Sequence, residues 1–281
     1  MRPYKLGLYE KGMPDSLSLP EKLREAEKAG FDYLELSIDE SDEKLARLEW
    51  GEQEIQSLWL AMRQTGLPIR SICLSGQRRF PLGDRDPAAR RRSQEVLRGA
   101  VDLAAALGVR LIQLAGYDVY YQDSGPETVE HFAQGLREAV DYAASRSVLL
   151  GFETMETDFM NTVEKAMGWV ERLKSPYLQV YPDVGNLTNA ALTYGHSVCS
   201  DLEKGRGHLA AVHLKESRPG IFREVPFGEG HVNFPAVTQC AARLGVRMFV
   251  GEFWYTGQRD WRGVLRDNSS FLHAALDQAF G

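Results

Sequence analysis

Val148-Leu149-Leu150-Gly151-Phe152-Glu153 and Leu178-Gln179-Val180-Tyr181-Pro182-Asp183 are two short apolar runs that each end on an acid, with the two acids 30 residues apart. Between them, Thr162 to Leu173 repeats apolar residues at every third or fourth position, the period of an amphipathic helix. Strand, helix, strand at this spacing is a parallel pair joined by a crossover.

The same alternation extends in both directions. Candidate strands begin near Lys5, Tyr33, Ile69, Arg110, Leu149, Tyr177, Leu209 and Arg247, at intervals of about 35 residues, enough for a strand, a helix and two loops. Helical periods cover Leu19 to Ala29, Glu52 to Thr65, Ala89 to Leu107, Glu127 to Ala144 and Phe234 to Leu244, whereas Asp183 to Leu202 is less periodic. Gly30, Gly66, Gly108 and Gly245 each follow a periodic stretch and precede an apolar run, where a left-handed helix stop is expected. Eight such units without a linker or a composition shift predict an α/β fold, a single closed (β/α)8 barrel domain over residues 1–281. A doubly wound open sheet is the alternative, but Gly7-Leu8-Tyr9-Glu10-Lys11-Gly12 lacks the dinucleotide-type glycine fingerprint after the first strand.

Composition narrows the function. A chain of 281 residues with 43% hydrophobic and 26% charged residues has material for a large core. Its formal net charge of −6 argues against a nucleic-acid partner. No run is long and apolar enough for a membrane span, and the first residues lack a secretion signal. Cys73, Cys199 and Cys240 form neither a disulfide framework nor a thiolate metal knot, which fits a reducing, cytoplasmic setting.

On a barrel of this kind the chemistry sits at the C-terminal strand ends. Glu153, Asp183, His213 and Glu252 each close an apolar run there. Asp183 alone reads equally well as a helix cap or loop hydrogen bonder, Glu153 and Glu252 less readily so, and a lone histidine more often as a core or turn residue. Together, three carboxylates and an imidazole suit one divalent ion of the Mn, Mg or Co kind ahead of Zn.

Longer pieces of the chain carry a resemblance. Arg78-Arg79-Phe80-Pro81-Leu82-Gly83, Ile112 through Tyr121, Tyr181-Pro182-Asp183-Val184-Gly185-Asn186-Leu187 and Val225-Pro226-Phe227-Gly228-Glu229-Gly230 resemble the sugar-phosphate 3-epimerases that interconvert L-xylulose 5-phosphate and L-ribulose 5-phosphate, a branch of the xylose-isomerase-like barrels. The resemblance implies that Glu153, Asp183, His213 and Glu252 are the metal ligands and that Arg223 contacts substrate. Asn186 stands where non-phosphorylated ketose 3-epimerases carry histidine, which favours a ketopentose phosphate as substrate. Gly76-Gln77 and Glu216 depart from the expected Ala-His and Asp. The resemblance also implies a homo-oligomer and a place in ascorbate or rare-pentose catabolism.

Epimerisation at C3 of a 2-ketose needs a base on each face of a carbon acidified by its neighbouring carbonyl, and a cation to offset the enediolate charge. Glu153 and Glu252 are the expected catalytic pair, with Glu216 orienting the imidazole of His213. Lys11, Arg78, Arg79 and the backbone around Gly228 and Gly230 are candidates for the phosphate, and Tyr117 for the wall of the sugar pocket. A non-phosphorylated ketose 3-epimerase, an aldose-ketose isomerase and a non-catalytic sugar-phosphate-binding protein remain the alternatives.

Overall fold

The computed structural model describes residues 2–281; Met1, the first residue of the expected 1–281 domain, lies outside them. Eight strands, β1 (Lys5–Tyr9), β2 (Tyr33–Ile38), β3 (Ile69–Leu74), β4 (Leu111–Ala115), β5 (Leu149–Glu153), β6 (Leu178–Val180), β7 (Val212–Leu214) and β8 (Met248–Gly251), form one parallel sheet in the order β6-β5-β4-β3-β2-β1-β8-β7. The helices are α1 (Leu19–Lys28), α2 (Asp42–Leu45), α3 (Glu52–Thr65), α4 (Pro87–Leu107), α5 (Pro126–Ser145), α6 (Val163–Leu173), α7 (Val184–Tyr194), α8 (Val198–Lys204), α9 (Phe234–Arg243) and α10 (Trp261–Phe280).

The expected closed barrel is corrected by the hydrogen-bond ladder. Consecutive strands pair from β1 to β6 and β8 pairs with both β1 and β7, but β6 and β7 share no ladder, so the sheet is open between them. The chain segments at this seam meet at isolated bridges, Val180 to Leu209 and Asp183 to His213. The reason is local. Both strands are three residues long, β7 begins at Val212 instead of near Leu209, and Pro182, just beyond β6, has no N–H to offer a ladder. Its carbonyl accepts the His213 N–H at 2.9 Å, which sets Asp183 and His213 side by side at this seam.

Strand alternation divides the side chains. On β2, Leu34, Leu36 and Ile38 join the large apolar cluster beneath the helices, while Tyr33, Glu35 and Ser37 point the other way, all buried. A Cβ on Gly7 would lie 2.4 Å from the Tyr33 ring, so glycine at this point of β1 is what lets that tyrosine occupy the sheet's inner face. The weakly periodic stretch after Asp183 is two helices, α7 and α8, separated at Gly195, whose φ of +69° ends the first in the left-handed region. The inner face of the sheet, where Glu35, Ser71 and Gln113 are buried beside an apolar cluster that includes Tyr33, Tyr181 and Val250, is where the site lies.

Candidate metal centre

Glu153 is the last residue of β5, Asp183 caps α7, His213 is the middle residue of β7 and Glu252 follows β8. All four are buried, and one ligand atom from each lies within 4.8 Å of the others. The side chain of Asp183 accepts the Asn186 N–H at 2.6 Å, so the cap that starts α7 also fixes this carboxylate. His213 turns Nε2 to Glu35 Oε1 at 2.7 Å and leaves Nδ1 at 3.2 Å from both Glu153 Oε1 and Glu252 Oε2. Gln113, on β4, donates to Glu153 Oε2. Lys215 Nζ lies 3.3 Å from Asp183 Oδ1 and 3.6 Å from Glu252 Oε2.

Two oxygens in this cluster, Asp183 Oδ2 and Glu252 Oε2, are buried and make no hydrogen bond, although Glu252 Oε2 lies within ion-pair reach of His213 and Lys215. Buried carboxylate oxygens facing one another require a proton or a cation between them. Titration follows the same logic. Burial, with Glu252 and Glu153 nearby and Lys215 opposing, pushes the Asp183 carboxyl well above the usual range. At Glu252 burial pulls upward, but Lys215 and His213 outweigh it and hold that carboxyl low. For His213 burial pulls downward and the surrounding acids, Glu35 first, raise it well above the ordinary imidazole value. The oxygen and nitrogen donor set, with two of its buried carboxylate oxygens making no hydrogen bond, fits a divalent ion.

Adding a divalent ion at 100 times its dissociation constant should stabilise the chelator-stripped protein by about 2.7 kcal/mol, a rise of about 5–10 °C for a chain of this size. Scanning calorimetry with Mn, Mg, Co and Zn measures it; the absence of a shift with all four goes against an ion at this site.

The other expected contacts are distributed unevenly. Tyr117 is buried and donates to Glu156 Oε2 at 2.5 Å. The Arg78 guanidinium stacks on Tyr117 and Tyr120, 5.6 and 5.2 Å from their ring centres, with its buried Nε lacking a partner. Asn186 is buried, donates to the Thr154 carbonyl at 2.7 Å and keeps a free Oδ1. A recess of about 310 Å³ beside it is lined by Met155, Glu156, Asn186, Asn189 and Phe222. Arg223 is exposed on the following loop, and its charge helps to lower the Glu156 carboxyl against burial. Lys11 is paired with Asp39. Arg79 is exposed and bound to Asp42 at 2.6 Å and to the Glu40 carbonyl, which the cluster does not include. A larger cleft of about 1020 Å³ opens at the opposite strand ends, around Lys5, Ile69, Leu111, Leu149 and Met248.

Glu216 does not orient the imidazole. It accepts the N–H groups of Ser217, Gly228 and Val232 at 3.0, 3.0 and 3.1 Å and so ties down the loop after β7, which also engages the Gly228 N–H expected to cradle an anion. A Cβ on Gly230 would meet Glu216 Oε1 at 2.2 Å, so this loop closes only around glycine. The carboxylate that faces His213 Nε2 is that of Glu35, which sequence reading missed together with Gln113, Lys215 and Glu156. The available signal was parity: Glu35 and Gln113 are polar residues inside apolar strand runs.

The family model for xylose isomerase-like TIM barrels matches residues 23–274. SgbU of Escherichia coli K12, provisionally named an L-ribulose-5-phosphate 3-epimerase, is 47% identical over 90% of this chain and 90% of its own length. The L-ribulose-5-phosphate 3-epimerase UlaE of Escherichia coli SE11 is 45% identical over 98% of this chain and 95% of its own. In fold alone, the crystal structure of a D-tagatose 3-epimerase-like protein superposes with a TM-score of 0.79 at 17% identity, covering 98% of this chain and 99% of that one. With the family model matching most of the chain and sequence identity sustained over nearly its whole length, the chain belongs to the L-ribulose-5-phosphate 3-epimerase family of xylose isomerase-like TIM barrels.

Proposed function

We propose that this protein is a metal-dependent 3-epimerase that interconverts L-xylulose 5-phosphate and L-ribulose 5-phosphate. The observation that carries the reading is the buried convergence of Glu153, Asp183, His213 and Glu252 on one point, with Asp183 Oδ2 and Glu252 Oε2 making no hydrogen bond, in a chain of this family. Glu153, Asp183, His213 and Glu252 would hold the ion, of the Mn, Mg or Co kind given the oxygen-rich donors. Once bound, it supplies Lewis-acid compensation for negative charge developing on the ketose oxygens.

The chain's own residues do the proton work. Glu153 and Glu252 approach His213 Nδ1 from β5 and β8, each at 3.2 Å, so the imidazole stands between two carboxylates that belong to different strands. One takes the C3 proton and the other returns a proton to the opposite face, with the roles exchanged in the reverse direction. Lys215 keeps Glu252 ionised, as a base must be, and Gln113 fixes the far oxygen of Glu153. Arg78, with its unpartnered Nε–H, together with Tyr117, Asn186 and Arg223, lines the approach for substrate oxygens.

Lys11 and Arg79 stay candidates for the phosphate, each of them also paired with an acid, Asp39 and Asp42. We place the whole chain in one domain, supported by an apolar cluster that runs from Tyr4 to Leu276. A cytoplasmic homo-oligomer with a small-molecule substrate and no nucleic-acid partner completes the reading. Cys73, Cys199 and Cys240 are unpaired thiols, and among the described residues no helix is long and apolar enough to cross a membrane.

The test is L-ribulose 5-phosphate with Mn or Mg in deuterated water, followed by NMR. Deuterium entering at C3 is the expected result. Entry at C1 or C2 identifies an aldose-ketose isomerase, and binding without exchange identifies a passive sugar-phosphate binder. Removing the phosphate from the substrate should lower kcat/KM by at least about 100-fold, since charged partners left unpaired in a site penalise the truncated ligand; equal values for the two sugars would favour a non-phosphorylated ketose.

A further inference from the structure

We propose that Glu35 is a positioning residue for the metal centre, fixing the ring of His213 so that Nδ1 alone presents a lone pair to the ion; this rests on reading the four-residue cluster as a divalent-ion site. Glu35 lies in the middle of β2 with no solvent exposure. Its carboxylate gathers three donors from three other strands or strand ends: His213 Nε2 at 2.7 Å, Ser71 Oγ at 2.7 Å and the Tyr181 hydroxyl at 2.8 Å. The latter two share Oε2, so Oε1 faces the imidazole with no competing donor. The Tyr181 ring also packs edge-on against the imidazole at 4.7 Å between centres, so the acid's own partner restricts rotation of the histidine.

The two imidazole nitrogens thereby acquire different duties. A carboxylate at Nε2 holds the proton there, and the same proton cannot sit on Nδ1, the atom that faces Glu153 and Glu252. An acceptor of this strength also makes Nδ1 a better electron donor, and loss of such an outer partner typically weakens a metal site by about 10–100-fold. Ser71 lies directly opposite Glu35 in the β2–β3 register, so the acceptor is held by two strands and by the Tyr181 hydroxyl. Tyr33, on the same face of β2, donates to the Phe249 carbonyl at 2.9 Å and continues the buried polar layer beneath the site.

The test compares the unsubstituted protein with Glu35→Gln, titrating each chelator-stripped sample with Mn and reading free Mn by electron paramagnetic resonance. Glutamine keeps the volume and one acceptor but not the charge. The expected result is a single site in the unsubstituted protein, weakened about 10–100-fold in the variant, with turnover recovering at saturating Mn. Equal affinities overturn the role of Glu35 while leaving the metal site standing; no site in the unsubstituted protein overturns both. Should Glu35→Gln fail to fold, nitrogen-15 histidine NMR of the unsubstituted, Mg-loaded protein decides. A proton on His213 Nε2 and none on Nδ1 supports the assignment, and the opposite tautomer overturns it.

Discussion

Replacing Glu252 by glutamine is expected to lower kcat by about 10²–10⁴-fold, the range for loss of a positioned general base or acid, with a comparable loss for Glu153→Gln. Both glutamines retain an oxygen that can approach an ion, so the assay is run at saturating metal with metal content measured. Neither amide can accept and release a proton at C3, whereas His213, Asp183 and the substrate contacts stay in place. The two variants should also differ from each other. Lys215 lies beside Glu252 and Gln113 beside Glu153, so each surviving carboxylate works in its own surroundings and exchange is expected to fall unequally in the two directions. Deuterium exchange at C3 from each epimer measures this, and unchanged rates in both variants would falsify the two-base assignment.

The second large effect is on stability. Glu10, at the end of β1, is fully buried beneath Lys22, Lys44 and Arg47, which belong to or follow α1 and α2. Its Oε1 accepts from Lys22 at 3.0 Å, Lys44 at 2.9 Å and Arg47 at 2.8 Å, and Oε2 from Arg47 at 2.6 Å and the Ser37 N–H at 2.9 Å. Glu10→Gln would leave three buried cations with only the exposed carboxylate of Asp15, at 3.6–3.7 Å from the two lysines. Breaking a buried ion pair by removing one partner typically costs about 3–5 kcal/mol. Urea unfolding should show that loss at pH 7, and a difference under about 1 kcal/mol would be that of an ordinary surface pair.

The pH dependence has a definite sign. Burial alone would raise the Glu10 carboxyl, but Arg47 first, then Lys22 and Lys44, bring it well below its ordinary value of 4.5. A depressed carboxylate contributes its stability fully above the unfolded value and loses it as pH falls towards the folded one. The gap between the unsubstituted protein and Glu10→Gln should therefore be constant near neutrality and narrow below about pH 4.5. A gap that widens on acidification would contradict this account.

Much of the fold can be read from local pattern, because a helix with one buried face and a strand buried on both leave different periods in the sequence. The expected α3 coincides with the structure at Glu52–Thr65, and Gly66 takes the left-handed φ of +70°. The stretch after Asp183 resists such a reading because α7 buries Val184, Gly185, Asn186, Leu187, Asn189 and Ala190, mixing polar and apolar residues on its covered side. Strand-end position likewise made the four cluster residues legible before any contact was known. Arg79, near the same strand ends, pairs with Asp42, a contact that no local pattern announces.

By itself the sequence determined the succession of strands and helices and which acids and histidine come to the strand ends, because both depend on residues close together in the chain. Only the tertiary structure decided that the sheet stays open between β6 and β7, and that Glu35 rather than Glu216 holds His213. Those outcomes depend on which backbone groups and side chains meet across the inner face, and Glu35 and His213 are 178 residues apart. A hydrogen bond over that separation leaves no periodic trace in the chain; it exists only once eight strands have set its two partners within reach.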